Sequence, residues 1–322
     1  MTIAPTPAGR QVIEDDQIRV EIDPAVGATI TSIRHRATGA ELLWRNPRHG
    51  VGASRHEGSG VDLWLEATEG GWQLVLPNGG TECTYQGVHH GFHGEAGLVP
   101  WSWRARDGGL ELSADLCDLP LSVVRSVDLT GPGVLRVSTS VSNYGDRPVE
   151  LMWGEHIGFG SDLLDDPALR LSCPAAEVTT DDEYCAPSNP LGPGVRSAWP
   201  YAAGLDRPVD LRRPLEGASA LAYLSAVSQP ITLTAPGAGL SVDVRWSDTF
   251  PFVWLWTELG GEQGPPWFGR ARAIGVEPFT SWPSQGLARV AEKTGTQLRI
   301  SPAQPVSGWA EIAITETART VS

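Results

Sequence analysis

The sequence of 322 residues is poor in positive charge. Its 24 lysines and arginines are outnumbered by 38 aspartates and glutamates, which gives a formal net charge of -14 and a pI of about 4.9. Nucleic acids and anionic membranes attract basic surfaces, so this balance argues against both as partners. The acidic composition instead fits a protein that binds a small neutral molecule.

Cysteine and long apolar runs are also scarce. The four cysteines show no CxxC or zinc-finger spacing; they are Cys83, Cys117, Cys173 and Cys185. The N-terminal segment MTIAPTPAGR lacks the apolar core of a signal peptide, and no stretch approaches about 18 consecutive apolar residues. We therefore expect reduced thiols, a cytoplasmic location and a loose tail over residues 1–10.

Glycine (37), proline (26) and tryptophan (13) are abundant, and 41% of the residues are hydrophobic. The combined share of glycine and proline exceeds the usual roughly 12% and predicts many turns around a sizeable core. Most tryptophans are expected in that core. Because a flat indole also stacks on the apolar face of a pyranose, their number gives mild support for a carbohydrate ligand.

Alternation of apolar and polar residues predicts β-strands along most of the chain. The clearest run covers Leu110–Leu116, Ser122–Leu129, Val134–Asn143 and Val149–Trp153, and Gly131-Pro132-Gly133 makes a tight connection within it. Successive strands joined by short turns predict an all-β fold, a large antiparallel β-sandwich.

The rest of the chain extends this prediction. Only Leu163–Leu169 and Leu287–Lys293 suggest short helices, and residues 161–214 look irregular. Neither an internal repeat nor a linker is apparent, so we expect one domain over residues 1–322. Further strand candidates are Gln17–Asp23, Thr29–Arg34, Glu41–Trp44, Ala220–Ser225, Ile231–Thr234, Leu240–Trp246, Phe250–Leu259, Ala273–Pro278, Gln297–Ser301 and Ala310–Thr315.

Three ionisable residues stand near predicted strand ends, close to glycine or proline: His93, His156 and Glu277. A lone histidine is usually structural or solvated, and the same holds for His56 in a glycine-rich loop. A carboxylate within the apolar segment Ile274–Pro278 is harder to dismiss, because it must face a polar cavity or meet a donor. Two histidines and such a glutamate can form an acid–base pair with an orienting neighbour.

These residues lie in motifs that resemble those of the aldose 1-epimerase (galactose mutarotase) family. Each motif alone is weakly specific, but the three occur in the family's order and span nearly the whole chain. The first comprises Gly71-Trp72, Leu76–Gly80, Phe92–Glu95 and Pro100-Trp101; the second is Trp153–His156; the third is Gly275–Pro283.

The resemblance implies the galactose mutarotase-like supersandwich, with few short helices, and a reaction that interconverts the α and β anomers of an aldose. It implies that Glu277 is the base for the anomeric hydroxyl, that His156 is the acid for the ring oxygen, and that His93 hydrogen-bonds the substrate. Activity should fall at low pH when Glu277 is protonated and at high pH when His156 is deprotonated. The chemistry implies no metal and no cofactor.

Sugar-contacting residues are harder to assign, because the chain departs from the family pattern. Asn78 occupies the stretch where many members have an arginine, and either Asp243 or Asp248 could replace a family aspartate. Trp254 could equally pack in the core. The predicted contacts are Asn78, Trp72, Asp248, Asp243, Trp256 and Arg272.

Three alternatives remain open. A cupin-like metal site could use His89, His90, His93 and Glu95, although the usual His-x-His spacing is absent. The chain could instead be a sugar-binding protein without catalysis. It could also be a lyase or a sugar-phosphate epimerase in which Arg270 and Arg272 meet an anionic group. The expected partner is a small sugar, and the chain could be a monomer or a homodimer.

Overall fold

The computed structural model describes residues 2–5, 9–49 and 60–318, and its regular structure is almost entirely β. The three helices are α1 (Val61–Ala67), α2 (Ser161–Leu164) and α3 (Leu287–Lys293). The strands are β1 (Thr2–Pro5), β2 (Gln11–Glu14), β3 (Ile18–Asp23), β4 (Thr29–His35), β5 (Trp72–Val75), β6 (Cys83–Tyr85), β7 (Val88–His90), β8 (Ser102–Arg106), β9 (Gly109–Asp115), β10 (Leu121–Gly131), β11 (Val134–Asn143), β12 (Val149–Leu151), β13 (Gly154–Phe159), β14 (Arg170–Ser172), β15 (Ala175–Thr180), β16 (Arg196–Ala198), β17 (Tyr201–Ala202), β18 (Val209–Asp210), β19 (Ser219–Ser228), β20 (Ile231–Ala235), β21 (Leu240–Trp246), β22 (Phe252–Leu259), β23 (Arg272–Phe279), β24 (Leu298–Ile300) and β25 (Val306–Glu316).

Two large antiparallel sheets form the body of the molecule. One has eleven strands in the order β1-β2-β3-β4-β5-β13-β23-β22-β19-β15-β16, and the other has eight in the order β14-β20-β21-β25-β11-β10-β9-β8. Their inner faces share one hydrophobic core, in which Ile30 and Leu74 from the first sheet pack with Val137 and Ile312 from the second. The predicted all-β sandwich is therefore confirmed. No helix among the described residues is long and apolar enough to cross a membrane.

Several segments differ from the prediction. Strand β1 lies within the expected loose tail, helix α1 was not predicted, and Glu41–Trp44 forms isolated bridges rather than a strand. The helix predicted at Leu163–Leu169 is instead Ser161–Leu164, since Pro167 cannot continue a helical hydrogen-bond ladder. The strand predicted at Val149–Trp153 does not extend the meander of β9, β10 and β11. It pairs as β12 with the distant β24, and the chain then enters the other sheet as β13.

Residues 161–214, expected to be irregular, contain five short strands. Of these, β15 joins the eleven-stranded sheet by pairing with β19, although an irregularity between Ala175 and Glu177 interrupts its register. Such short strands depend on their partners rather than on their own alternation, so the sequence signal is weak.

A buried ion pair connects the two sheets. Arg125 of β10 donates from Nη1 and Nη2 to the two carboxylate oxygens of Glu155 of β13, at 2.9 and 2.8 Å, and the side chains are 0% and 1% exposed. Trp72 of β5 donates from Nε1 to Glu155 Oε2 at 2.7 Å, and Thr139 Oγ1 accepts from Arg125 at 3.1 Å. These contacts compensate a carboxylate that would otherwise be expensive to bury.

We predict that Arg125→Met destabilises the fold by about 3–5 kcal/mol, because it leaves the Glu155 carboxylate buried and unpaired. The double variant Arg125→Met/Glu155→Gln should be more stable than this single variant, since it removes the charge and keeps an acceptor for Trp72. Urea unfolding followed by tryptophan fluorescence measures both. As a control, Arg106→Met removes an exposed pair with Asp128 and should change stability by less than about 1 kcal/mol.

A single Arg125→Met variant as stable as the control would show that the pair does not hold the sheets together.

Candidate active site

Strand pairing brings His156 and Glu277 together. In the antiparallel register of β13 and β23, Gly154 lies opposite Phe279 and Gly158 opposite Gly275, which sets His156 opposite Glu277. Residues directly opposite each other share one face of a sheet. The Nε2 atom of His156 lies 3.6 Å from Oε1 of Glu277, so one proton can be exchanged between them after a small movement.

His93 reaches the same place from a loop. Its backbone N–H donates to the carbonyl of Gly80 at 3.0 Å, and the Gly80 N–H donates to Nδ1 of the His93 ring at 3.0 Å. This second bond makes Nδ1 an acceptor, so Nε2 carries the hydrogen of the neutral ring. The reciprocal bonds also hold His93 in the left-handed region at φ 58°. Its ring centroid lies 5.4 Å from that of His156.

All three predicted catalytic residues line one cavity of about 580 Å³. Its volume lies within the usual range for small-molecule sites. The wall also includes Thr81, Ser284, Gln285, Glu183 and Glu262, which supply polar groups. Aromatic side chains supply much of the remainder: Trp44, Trp64, Phe92, Tyr184, Trp254, Trp256 and Trp267.

Hydrogen bonds fix the orientation of one of these aromatic walls. Trp256 donates from Nε1 to the hydroxyl of Tyr184 at 3.2 Å, and that hydroxyl is 2.8 Å from the hydroxyl of Ser219. Trp44 packs edge-on against Trp256 with ring centroids 6.3 Å apart. The indole is therefore held in place before any ligand arrives, which lowers the entropy cost of stacking against it.

Burial lowers the pKa values of the two histidines and raises the pKa of the glutamate. Desolvation lowers the pKa of His156 to about 4, opposed in part by its own backbone carbonyl. It also lowers the pKa of His93 well below 6.5, and the nearby His156 adds to this effect. Desolvation raises the pKa of Glu277 well above 4.5. Both shifts favour the uncharged form of each group, so a single proton shared by the pair resides on Glu277 rather than on His156.

A glycine makes room for the carboxylate of Glu277. Gly275 lies two residues before it on β23, on the same face, and a Cβ at Gly275 would stand 2.1 Å from Glu277 Oε1. On the paired strand β13, a Cβ at Gly158 would have its nearest neighbour at 3.4 Å, an ordinary contact.

Of the six predicted sugar contacts, only Trp256 lines the cavity; Trp254, the residue left ambiguous, lines it as well. Asn78 and Trp72 have structural contacts instead. Asn78 is fully buried, donates to the carbonyls of Thr81 and Gly91, and accepts from the N–H of Leu287. Trp72 points to the opposite face of its sheet, where it donates to Glu155 as described.

The other three predicted contacts lie elsewhere. Asp243 is in the eight-stranded sheet, where it accepts from Thr232 at 2.6 Å. Asp248 is in an exposed turn between β21 and β22. Arg272 pairs with Glu216 at 2.9 Å outside the cavity wall, and Arg270 does not line the wall either. Motif position alone could not reveal which face of the sandwich each side chain occupies.

The residues of the alternative metal site do not converge. His89 and His90 are neighbours on β7, so their side chains point to opposite faces. His90 lies near Asp118, with Nδ1 and Oδ2 3.8 Å apart, whereas Glu95 accepts the backbone N–H groups of Cys117 and Asp118. Within residues 9–49 and 60–318 no cluster of three or more metal-binding side chains is present. His56 lies outside the described residues.

Sequence reasoning missed most of the cavity wall. Tyr184 and Gln285 come from segments without strand alternation, and Trp44, Trp64 and Trp267 from loops or a short helix. The high tryptophan content was the available signal, but it did not show which indoles face the cavity.

No family model matches the sequence, and no curated protein matches it. Solved structures do resemble it. A galactose mutarotase related enzyme from Lactobacillus acidophilus is 17% identical with a TM-score of 0.68, covering 97% of this chain and 99% of its own. A candidate aldose 1-epimerase from Escherichia coli K12 is 15% identical with a TM-score of 0.67, covering 98% and 99%.

A galactose mutarotase-like protein from Lactobacillus casei gives a similar result: 18% identity, a TM-score of 0.68, and coverage of 95% of this chain and 100% of its own. The chain therefore has the galactose mutarotase-like fold, as its motifs implied. At these identities the likeness concerns the fold, and the chemistry has to be argued from the cavity itself.

We predict that Gly275→Ala displaces the carboxylate of Glu277 from His156, because the added methyl group would occupy the position of Oε1. A crystal structure should show the 3.6 Å separation between Nε2 and Oε1 lengthened. The matched variant Gly158→Ala, on the facing strand, should keep it. An unchanged separation in Gly275→Ala would mean that the glycine is not required by the carboxylate.

Proposed function

We propose that this protein is a mutarotase of the aldose 1-epimerase type, which interconverts the α and β anomers of an aldose by opening and closing its ring. The observation that carries the proposal is the buried pair of His156 and Glu277, 3.6 Å apart, facing a cavity with tryptophan walls. Ring opening needs one proton removed from the anomeric hydroxyl and one delivered to the ring oxygen. A carboxylate beside an imidazole supplies both functions.

In the proposed reaction, Glu277 takes the proton of the C1 hydroxyl while His156 protonates the ring oxygen. The C1–O5 bond breaks, C1 becomes a carbonyl, and the open chain rotates about C1–C2. Attack of the O5 hydroxyl on the other carbonyl face then returns both protons and forms the other anomer. His93, a neutral donor at Nε2, is suited to hydrogen-bond a sugar oxygen without taking part in the proton count.

The single proton of the pair lies on a different residue in the free protein than in the reacting state. The pair holds one proton, and burial places it on Glu277 rather than on His156 in the free protein. The ionised arrangement, carboxylate beside imidazolium, is then the minor form of the same one-proton state. Polar groups of a bound sugar would stabilise this minor form, because they partly replace the lost solvent.

The charges of the wall favour a neutral sugar as the substrate. Glu262 lines the cavity and forms no ion pair within the described part of the chain, and Glu183 lines it while paired with Arg289 at 2.7 Å. The unpaired carboxylate of Glu262 would repel a phosphate or carboxylate substituent. Arg272, the residue considered for such a substituent, is paired with Glu216 instead.

We expect Glu277→Gln to reduce anomer interconversion by about 10²–10⁴-fold, because the amide keeps the shape but cannot exchange the proton. His156→Asn should cause a similar loss. Polarimetry on a panel of neutral aldoses, with the spontaneous rate subtracted, measures the effect. The exposed Glu177→Gln, on β15 of the same sheet, is the matched control and should retain full activity.

Glu277→Gln should also unfold at a higher temperature than the wild type at pH 7. A carboxyl whose pKa is raised by folding contributes stability that is present below about pH 4.5 and lost as pH rises, and the amide removes this loss.

Wild-type turnover in Glu277→Gln would refute the proposed base. Sugar binding without turnover in the wild type would favour a binding protein on this fold.

We expect the two limbs of the pH profile to be exchanged relative to the family roles: the acid limb should arise from His156 and the basic limb from Glu277. kcat/KM should rise through about pH 4, where His156 loses the second proton of the pair, and should then reach a plateau. It should fall only when Glu277 finally ionises, at a pH well above 4.5. A basic limb centred near 6.5 that disappears in His156→Asn would contradict this order.

A further inference from the structure

We propose that Gln73 is a positioning residue for His156: its side-chain carbonyl accepts the Nδ1 hydrogen of the imidazole, directly or through one buried water molecule. This contact would leave Nε2 as the nitrogen that exchanges a proton with Glu277. The effect on rate rests on the proposed function, whereas the hydrogen bond itself does not.

Strand register places Gln73 beside the ring. In the antiparallel pair of β5 and β13, Gln73 lies directly opposite His156, just as Glu277 lies opposite it on β23. The three residues therefore form a row across one face of the sheet, with the imidazole in the middle. Directly opposite residues have Cβ atoms roughly 4.5–5.5 Å apart, which is within reach of a glutamine side chain.

Both Gln73 and His156 have buried polar atoms without a hydrogen-bond partner among the described residues. Gln73 is 1% exposed, yet neither Oε1 nor Nε2 has a hydrogen-bond partner among the described residues, and Nδ1 of His156 has none there either. Leaving a buried polar group unpaired is unfavourable, so such groups in native proteins usually find each other or an ordered water. Two partners on Gln73 and one on His156 satisfy the needs of a buried water.

The chemistry of the pair decides which amide atom is used. If Glu277 holds the proton, Nε2 of His156 accepts from it and Nδ1 carries the ring hydrogen. If the proton has moved to His156, both nitrogens carry hydrogen. In either form Nδ1 is a donor and requires an acceptor, which is Oε1 of Gln73.

Among the described side chains packed against His156, no other is suited to this task; the remaining acceptor near the ring is the backbone carbonyl of His156 itself. Glu277 lies on the Nε2 side, His93 is a neutral ring whose Nδ1 already accepts from Gly80, and the adjacent Trp64 and Trp256 rings offer no oxygen. Gln73 is also uncharged, so it can orient the ring without adding a third charge to the pair.

Nitrogen-15 NMR of the histidine rings tests the hydrogen bond in the full-length protein without any sugar. In the wild type at pH 7, the His156 signals should report hydrogen on Nδ1, in a hydrogen bond, and an acceptor at Nε2. Gln73→Met removes the acceptor at similar volume and should shift these signals toward a mixture of tautomers. Gln11→Met is the control, since Gln11 is a buried glutamine of β2 with an unpaired Oε1, in the same sheet.

Gln73→Glu provides the second arm. Its carboxyl group keeps an acceptor oxygen opposite Nδ1, so the tautomer should be retained. For Gln73→Met we expect kcat to fall by roughly 10–100-fold with KM little changed, since a hydrogen bond to a charged group is lost in the reacting state.

The proposal is overturned if His156 in Gln73→Met has the same ring signals as in Gln11→Met, or if Gln73→Glu loses the tautomer with hydrogen on Nδ1. If the wild type proves inactive on every aldose, the ring signals alone still decide the role of Gln73. Should Gln73→Met fail to fold, the comparison of Gln73→Glu with the wild type decides it.

Discussion

The alternation of side chains at Glu155 and His156 is the constraint on which the site depends. One residue points into the sandwich, where Arg125 and Trp72 bind its carboxylate, and the next points into the cavity, where it meets Glu277. A shift of β13 by one residue would exchange the two faces and bury the imidazole in the core. The ion pair between the sheets therefore also fixes the register of the proposed acid.

Desolvation is the second determinant, and it acts differently on the two members of the pair. It disfavours charge on both, so it lowers the pKa of His156 and raises that of Glu277. Both shifts favour the uncharged form of the pair. Such an arrangement is unfavourable for stability at neutral pH, because an unfolded chain would ionise Glu277 freely, and it is typical of sites that exchange protons.

Much of the cavity wall comes from loops and a short helix, whereas His156, Glu277, Trp254 and Trp256 lie on strands of the eleven-stranded sheet. His156 and Glu277 are held by strand pairing, and Trp256 by its hydrogen bond to Tyr184, so the reacting groups and one stacking surface are fixed before binding. His93 lies on a loop, but two hydrogen bonds with Gly80 fix its position.

By itself, the sequence determined the β architecture, because period-two alternation such as that of Val134–Asn143 reflects a sheet with one buried face. It also predicted that His93, His156 and Glu277 converge, and the three line one cavity, where the carboxylate of Glu277 has room because residue 275 is glycine. The tertiary structure alone decided which other side chains face the cavity. Asn78, Trp72 and Arg272 are directed elsewhere, whereas Tyr184 and Gln285 face it, because contacts between distant strands and loops set these directions and leave no periodic signal in the chain.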